Sequence, residues 1–243
     1  MNISTFIANQ LPSLALPQTP ATTKYSTVVD LFNRSALNPA NTFAIYTATA
    51  NPGSGTATIV GGDHLEVTTS AASSDAEDVT TAAFFIDRSS WFVDGKSQVV
   101  VDVIFNLSSA ASVAGEIALA GGSAITTPDT TASHMGLTFD TALSANFQLS
   151  SGDGSTETKT DTTQAMDTSK YRLNIIWNSD SSPGSISLYS STNNFSTLIK
   201  SANVTAPFSG YVTGSVFALK FLCVTRTTAA KTLKIQEWRT QFT

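Results

Sequence analysis

The stretch from Tyr171 to Tyr189 reads Tyr-Arg-Leu-Asn-Ile-Ile-Trp-Asn-Ser-Asp-Ser-Ser-Pro-Gly-Ser-Ile-Ser-Leu-Tyr, and its reading decides the fold class. Tyr171, Leu173, Ile175 and Trp177 fall on one side of an extended chain and Arg172 and Asn174 on the other, which is the period of two of a half-buried strand. Asn178 to Gly184 holds only turn residues, with Pro183-Gly184 able to reverse the backbone, and Ile186 and Leu188 resume the alternation. The stretch is therefore an antiparallel hairpin with one apolar and one wet face. Such a face must lie on a second sheet, so the hairpin predicts a β-sandwich.

The flanking sequence repeats the pattern. Upstream, Val99, Val101, Val103, Phe105 and Leu107 alternate with Val100, Asp102, Ile104 and Asn106; the run opens apolar on both faces, which predicts a central strand. Thr56–Val60 and His64–Thr69 read as two strands joined by the hairpin turn Gly61-Gly62-Asp63. Ala82–Ile86, Glu116–Leu119, Met135–Phe139 and Asn146–Leu149 read as shorter strands, whereas the polar, acidic run Ser70–Thr80 reads as a solvated loop. Downstream, Phe195–Val204 reads as a strand and turn and Ser215–Thr225 as a long strand. In Thr232–Phe242 the apolar residues change phase, from odd positions at Leu233 and Ile235 to even ones at Trp238 and Phe242, which predicts a bulge near Gln236. This makes roughly twelve strands and no internal repeat.

Residues 1–27 differ and read as an N-terminal arm and Pro-rich linker ahead of a domain over 28–243. Ile3, Phe6, Ile7 and Leu11 recur at helical spacing up to Pro12, with Leu14 just beyond, and Pro12, Pro17 and Pro20 stiffen the connector. A helix of two or three turns is marginal alone, so the stripe needs a surface, either on its own domain or on another subunit.

Composition excludes several functions. A net charge of −5 argues against general nucleic-acid binding. Residues 170–243 carry 8 basic and 2 acidic side chains against 5 and 16 before them, so Lys220, Arg226, Lys231, Lys234 and Arg239 either form a basic patch or meet acids across neighbouring strands. Cys223 is the single cysteine and lies within an alternating apolar run, as a small buried hydrophobe. No signal-peptide pattern and no membrane-spanning run is present, which predicts folding in a cytoplasm. His64 reads as an ordinary half-buried imidazole, and Asp153 lacks the acidic spacing of a calcium loop, so neither a metal nor another cofactor is expected.

The succession Asp30-Leu31-Phe32-Asn33-Arg34, Gly61-Gly62-Asp63 into His64-Leu65-Glu66-Val67, the hairpin strands themselves, and Leu233-Lys-Ile-Gln-Glu-Trp resembles the concanavalin A-like (laminin G-like) jelly-roll superfamily over residues 28–243. The resemblance implies two large curved antiparallel sheets. Laminarinase-like glycoside hydrolases of that group carry Glu-x-Asp-x-x-Glu on a strand; here Glu116 and Asp102 each lack a second acid at that spacing, and neither His64 nor His134 comes with a nucleophile elbow, so no enzymatic activity is expected. A Ser/Thr/Ala-rich sandwich with an apolar arm also resembles phage capsid decoration proteins. That resemblance implies a structural virion protein, homo-oligomeric, made in a host cytoplasm and docked through Ile3, Phe6, Ile7, Leu11 and Leu14 on coat subunits, without nucleic-acid or membrane partners. The alternative is a carbohydrate-binding, lectin-like module or adhesin, with sugars stacked on Trp91, Tyr189, Tyr211 or Trp238.

Overall fold

The computed structural model describes residues 26–30, 46–51, 55–60, 63–72, 74, 76–81, 98–121, 128, 133–178, 184–204 and 217–242. These residues form β1 (Ser26–Asp30), β2 (Tyr46–Asn51), β3 (Thr56–Val60), β4 (His64–Thr68), β5 (Ala76–Thr81), β6 (Gln98–Leu107), β7 (Val113–Gly121) and β8 (His134–Asp140). They continue with β9 (Asn146–Gly152), β10 (Glu157–Ala165), β11 (Tyr171–Asn178), β12 (Gly184–Ser190), β13 (Thr197–Val204), β14 (Phe217–Thr225) and β15 (Thr232–Phe242). No helix occurs among the described residues.

The hairpin of β11 and β12 pairs Leu173 with Leu188 and Ile175 with Ile186, and Tyr171, Leu173, Ile175 and Trp177 are buried as the alternation requires. It belongs to an eight-stranded sheet ordered β13-β12-β11-β6-β15-β4-β3, with β1 also on β15. A seven-stranded sheet ordered β10-β9-β8-β7-β14-β5-β2 lies against it. As its two apolar faces imply, β6 is central: β11 flanks it on one side and β15 on the other.

The register of β15 against β6 shifts between Ile235 and Glu237, so Gln236 is the extra residue of a bulge. The bulge turns Leu233, Ile235 and Trp238 all into the core. It also divides one edge of β15: Thr232–Ile235 pair with β4, and Trp238–Phe242 pair with β1.

Between the sheets, Phe105 and Tyr171 of the larger sheet meet Phe147 of the smaller one edge-on, with ring centroids 6.0 and 5.1 Å apart. Phe139 adds a further edge contact to Phe147 at 6.2 Å. Each such ring contributes about 2–3 kcal/mol by burial, and the edge-to-face geometry adds to it. Cys223 is wholly buried in this core, and burial raises its thiol pKa to about 12.

Two expectations need correction. The acidic run Ser70–Thr80 is not all loop: Ala76–Thr81 is β5, held between β14 and β2. Glu157–Ala165 is a strand that the apolar pattern does not mark, because it is an edge strand whose side chains are polar; Thr162 is tied back by donating to the Phe147 carbonyl at 2.7 Å. The strand total is accordingly fifteen among the described residues. Of the two readings of the C-terminal basic residues, pairing with acids of other strands is the one seen for Lys234 and Arg226. Lys234 pairs with Glu66 across β15 and β4 at 2.7 Å, Arg226 pairs with Asp140, Arg239 reaches Glu237, Lys231 donates to Ser109, and Lys220 is buried on the other sheet. The proposed strand Ala82–Ile86 and the arm residues Ile3, Phe6, Ile7, Leu11 and Leu14 lie outside the described residues.

Candidate functional site

Two groups of side chains outside the main core carry chemistry. The first lies on the outer face of the seven-stranded sheet. In β7, Val113, Ile117 and Leu119 face the core, so Ala114, Glu116, Ala118 and Ala120 face outward, and yet all four are buried. Together with Ala76, Leu222 and Val224 the three alanines, Ala114, Ala118 and Ala120, form a second, smaller apolar cluster.

Register sets the polar groups of this face in rows. One row runs Ala120, His134, Gly152, Glu157; the next runs Lys220, Ala118, Gly136, Ser150, Lys159; a third runs Leu222, Glu116, Thr138, Gln148, Asp161. Ala118, Gly136 and Gly152 have almost no side chain, and larger neighbours lean into that space. A Cβ on Gly136 would stand 2.1 Å from the Ile117 carbonyl oxygen and 2.6 Å from the Ala118 Cα, so glycine is what lets β7 and β8 close up here.

His134 Nε2 consequently sits 2.9 Å from Ser150 Oγ, 3.5 Å from Glu116 Oε1 and 4.0 Å from Glu157 Oε1. Ser150 donates its single hydroxyl hydrogen to Glu157 Oε1 at 2.7 Å, and Lys159 Nζ lies 3.4 Å from Glu157 Oε2. Glu116 is 2% exposed, and neither of its oxygens has a hydrogen-bond partner among the described residues. The 3.5 Å approach to His134 is a charge-range contact without hydrogen-bond geometry. Burial first, and the Glu157 carboxylate second, hold the Glu116 carboxyl well above the usual range, against the pull of Lys159 and Lys220.

The sequence therefore gave Glu116 no partner two or five residues on, whereas the fold gives it one from three strands away. The arrangement is still a poor nucleophile site. With the Ser150 hydrogen committed to an ionised Glu157, Nε2 of His134 must donate to Ser150, opposite to the direction in which a histidine activates a serine. Glu116, His134 and Ser150 are moreover all buried. Among the described residues no group of three His, Cys, Asp or Glu side chains is placed to hold a metal ion. Asp153, compared above with a calcium ligand, caps its own turn by accepting from the Ser155 and Thr156 amides, both at 2.8 Å. His64 stands between Asp63 at 3.1 Å and Glu66 at 3.0 Å, as a half-buried surface imidazole.

The second group lies on the outer face of the eight-stranded sheet, where Arg172, Asp102 and Tyr189 are partly exposed and Asn174 and Ser187 are buried. Arg172 Nε donates to Asp102 Oδ1 at 2.8 Å, Asn174 Nδ2 donates to the same oxygen at 3.0 Å, and the Arg172 guanidinium lies 4.9 Å from the centre of the Tyr189 ring. Ser187 and Ser201 hydrogen-bond at 2.9 Å in the adjoining row, and Leu198, opposite Tyr189, is 52% exposed. Of the four aromatics expected to stack on sugars, Tyr189 alone is found on a surface. Trp238 is 0% exposed in the core and is removed from that role, and Trp91 and Tyr211 lie outside the described residues.

Comparison with known proteins adds the decisive observation. Arcelin-5, a lectin-like defence protein from Phaseolus vulgaris, superposes with a TM-score of 0.61 at 11% identity, over 91% of this chain and 99% of that one. The fold is the concanavalin A-like jelly roll. Lectin I of Ulex europaeus, solved with the methyl glycoside of α-L-fucose, matches this jelly roll equally well, with a TM-score of 0.61, 12% identity, and coverage of 91% and 99%. The winged bean acidic lectin, solved with methyl-α-D-galactose, gives 0.59 at 12% identity over 90% and 99%. No protein-family model matches the sequence, and no curated protein matches it by sequence.

Proposed function

We propose that this protein binds carbohydrate without transforming it, as a lectin-like jelly roll. The observation that carries the reading is the end-to-end likeness to lectins, two of them solved with bound sugars, over nine-tenths of the chain. It favours glycan binding over the particle-decorating role implied by the apolar arm, and none of these three matches is a virion protein. The His134–Ser150–Glu157 hydrogen-bond direction supports the absence of hydrolytic chemistry.

On the described surface the Tyr189–Arg172 row has the groups that sugars need: an aromatic ring for the C–H face, and the partly exposed Arg172 and Asp102 and the exposed Ser201 beside it for hydroxyls. The test is a panel of immobilised glycans that includes fucosides and galactosides, read with the wild type and with Tyr189→Ala. Specific binding that falls at least tenfold in Tyr189→Ala is the expected result. Binding that survives the substitution moves the site elsewhere on the molecule, and a panel without any hit removes the lectin reading.

A further inference from the structure

We infer that Glu116, His134 and Glu157 form a proton-holding element built into the jelly roll, whose retained proton ties the stability of the seven-stranded sheet to pH. The inference starts from geometry. An ionised Glu116 at 2% exposure, with no hydrogen-bond donor among the described residues, is untenable unless a positive charge stands beside it. Two arrangements meet that condition: the proton sits on Glu116 itself, or it sits on His134, whose Nε2 is 3.5 Å away. Both leave one proton on the pair. Glu157 adds a second negative charge within 4.0 Å of the same imidazole nitrogen, and this further favours keeping the proton.

Among the described residues the other charged groups around the pair come from β5, β8, β10 and β14. From β10 come Glu157, Lys159 and Asp161; Asp161 is exposed and accepts from Asn146. From β14 comes Lys220, buried at 6% and acting on Glu116 at charge range. On β8 Asp140 is engaged by Arg226, and β9 brings no titratable group, only Ser150 and Gln148. On β5, Asp78 holds the register position opposite Leu222, two strands from Glu116. Lys159 and Lys220 are the competitors: if either alone neutralises an ionised Glu116, the retained proton is unnecessary.

In the unfolded chain above about pH 6.5 both an ordinary glutamate and an ordinary histidine have lost their protons. The folded pair keeps one, so unfolding releases it. Stability that depends on that proton is present in full at low pH and falls as pH rises, until the folded pair deprotonates in its turn.

The experiment is urea unfolding of the full chain at steps between pH 6.5 and 9, wild type beside Glu116→Gln, an isostere that cannot titrate. The wild-type folding constant is expected to fall by up to about tenfold per pH unit, the slope of one proton. The variant's curve is expected to be nearly flat over the same range. Parallel curves would overturn the inference. Should the variant not fold, the Glu116 carboxyl and His134 ring resonances of the folded wild type above pH 7 decide: a protonated carboxyl or a doubly protonated ring supports the inference, and an ionised carboxyl beside a neutral ring overturns it.

Discussion

A methyl group at Gly136 has nowhere to go, since the strand beside it lies 2.1 Å from where the new atom would sit. Gly136→Ala is therefore expected to destabilise by about 2 kcal/mol or more, because the clash is with backbone and no flexible side chain can move aside. A lowered urea midpoint with an unchanged transition slope is the check. Cys223 gives a second residue-scale prediction. Its buried thiol, with its pKa raised to about 12, should not react with an aromatic disulfide reagent at pH 8 in the native protein, and should react fully once the chain is unfolded. The sequence showed this cysteine correctly, since its neighbours alternate around it. Glu116, His134, Ser150 and Glu157 could not be seen as a group, because they come from four strands and meet only through the register and the small residues between them. The sequence signal for the group is the small residues Ala118, Gly136 and Gly152, legible only once the strands are aligned.

Strands were legible where one face was apolar and the other was not. The β11–β12 hairpin, β6 and β14 announce themselves in this way, and the phase change in β15 even marks its bulge. Removing Gln236 should leave a continuous register in which Glu237 still stands opposite Ile104 and Trp238 opposite Val103, so Trp238 keeps its place in the core. The deletion variant is therefore expected to keep the cooperative urea unfolding transition of the wild type, and loss of that transition would show that the bulge itself is required. β5 and β10 were not legible for a common reason: a strand dominated by Thr, Asp, Glu and other polar residues is chosen by its neighbours and not by its own residues. The Arg172–Asp102 pair, with 34% and 28% side-chain exposure, ties β11 to β6 on the wet face. A double-mutant cycle to alanine should give a coupling of about 0.5–1 kcal/mol, reduced by added salt, since the pair is solvent-screened.

At the scale of the whole molecule, one end of the sandwich is stitched across its strands. Thr69 and Lys231 exchange bonds, Ser74 donates to the Thr225 carbonyl, Arg226 to the Ser112 carbonyl, and Ser108 to the Thr232 carbonyl. These bonds join segments that are far apart in the chain, which makes the fold rich in long-range pairings and slow to assemble. The centre of the larger sheet sharpens the point. β15 sits between β6 on one side and β4 with β1 on the other, so the eight-stranded sheet is split into three parts, β13-β12-β11-β6, β4-β3 and β1, until residues 232–242 arrive. During synthesis, a ribosome that has released everything up to residue 231 holds a polypeptide with an open slot down the middle of its principal layer. A nascent chain stalled there should remain open to protease, and resistance should appear in one step as the closing segment clears the exit tunnel.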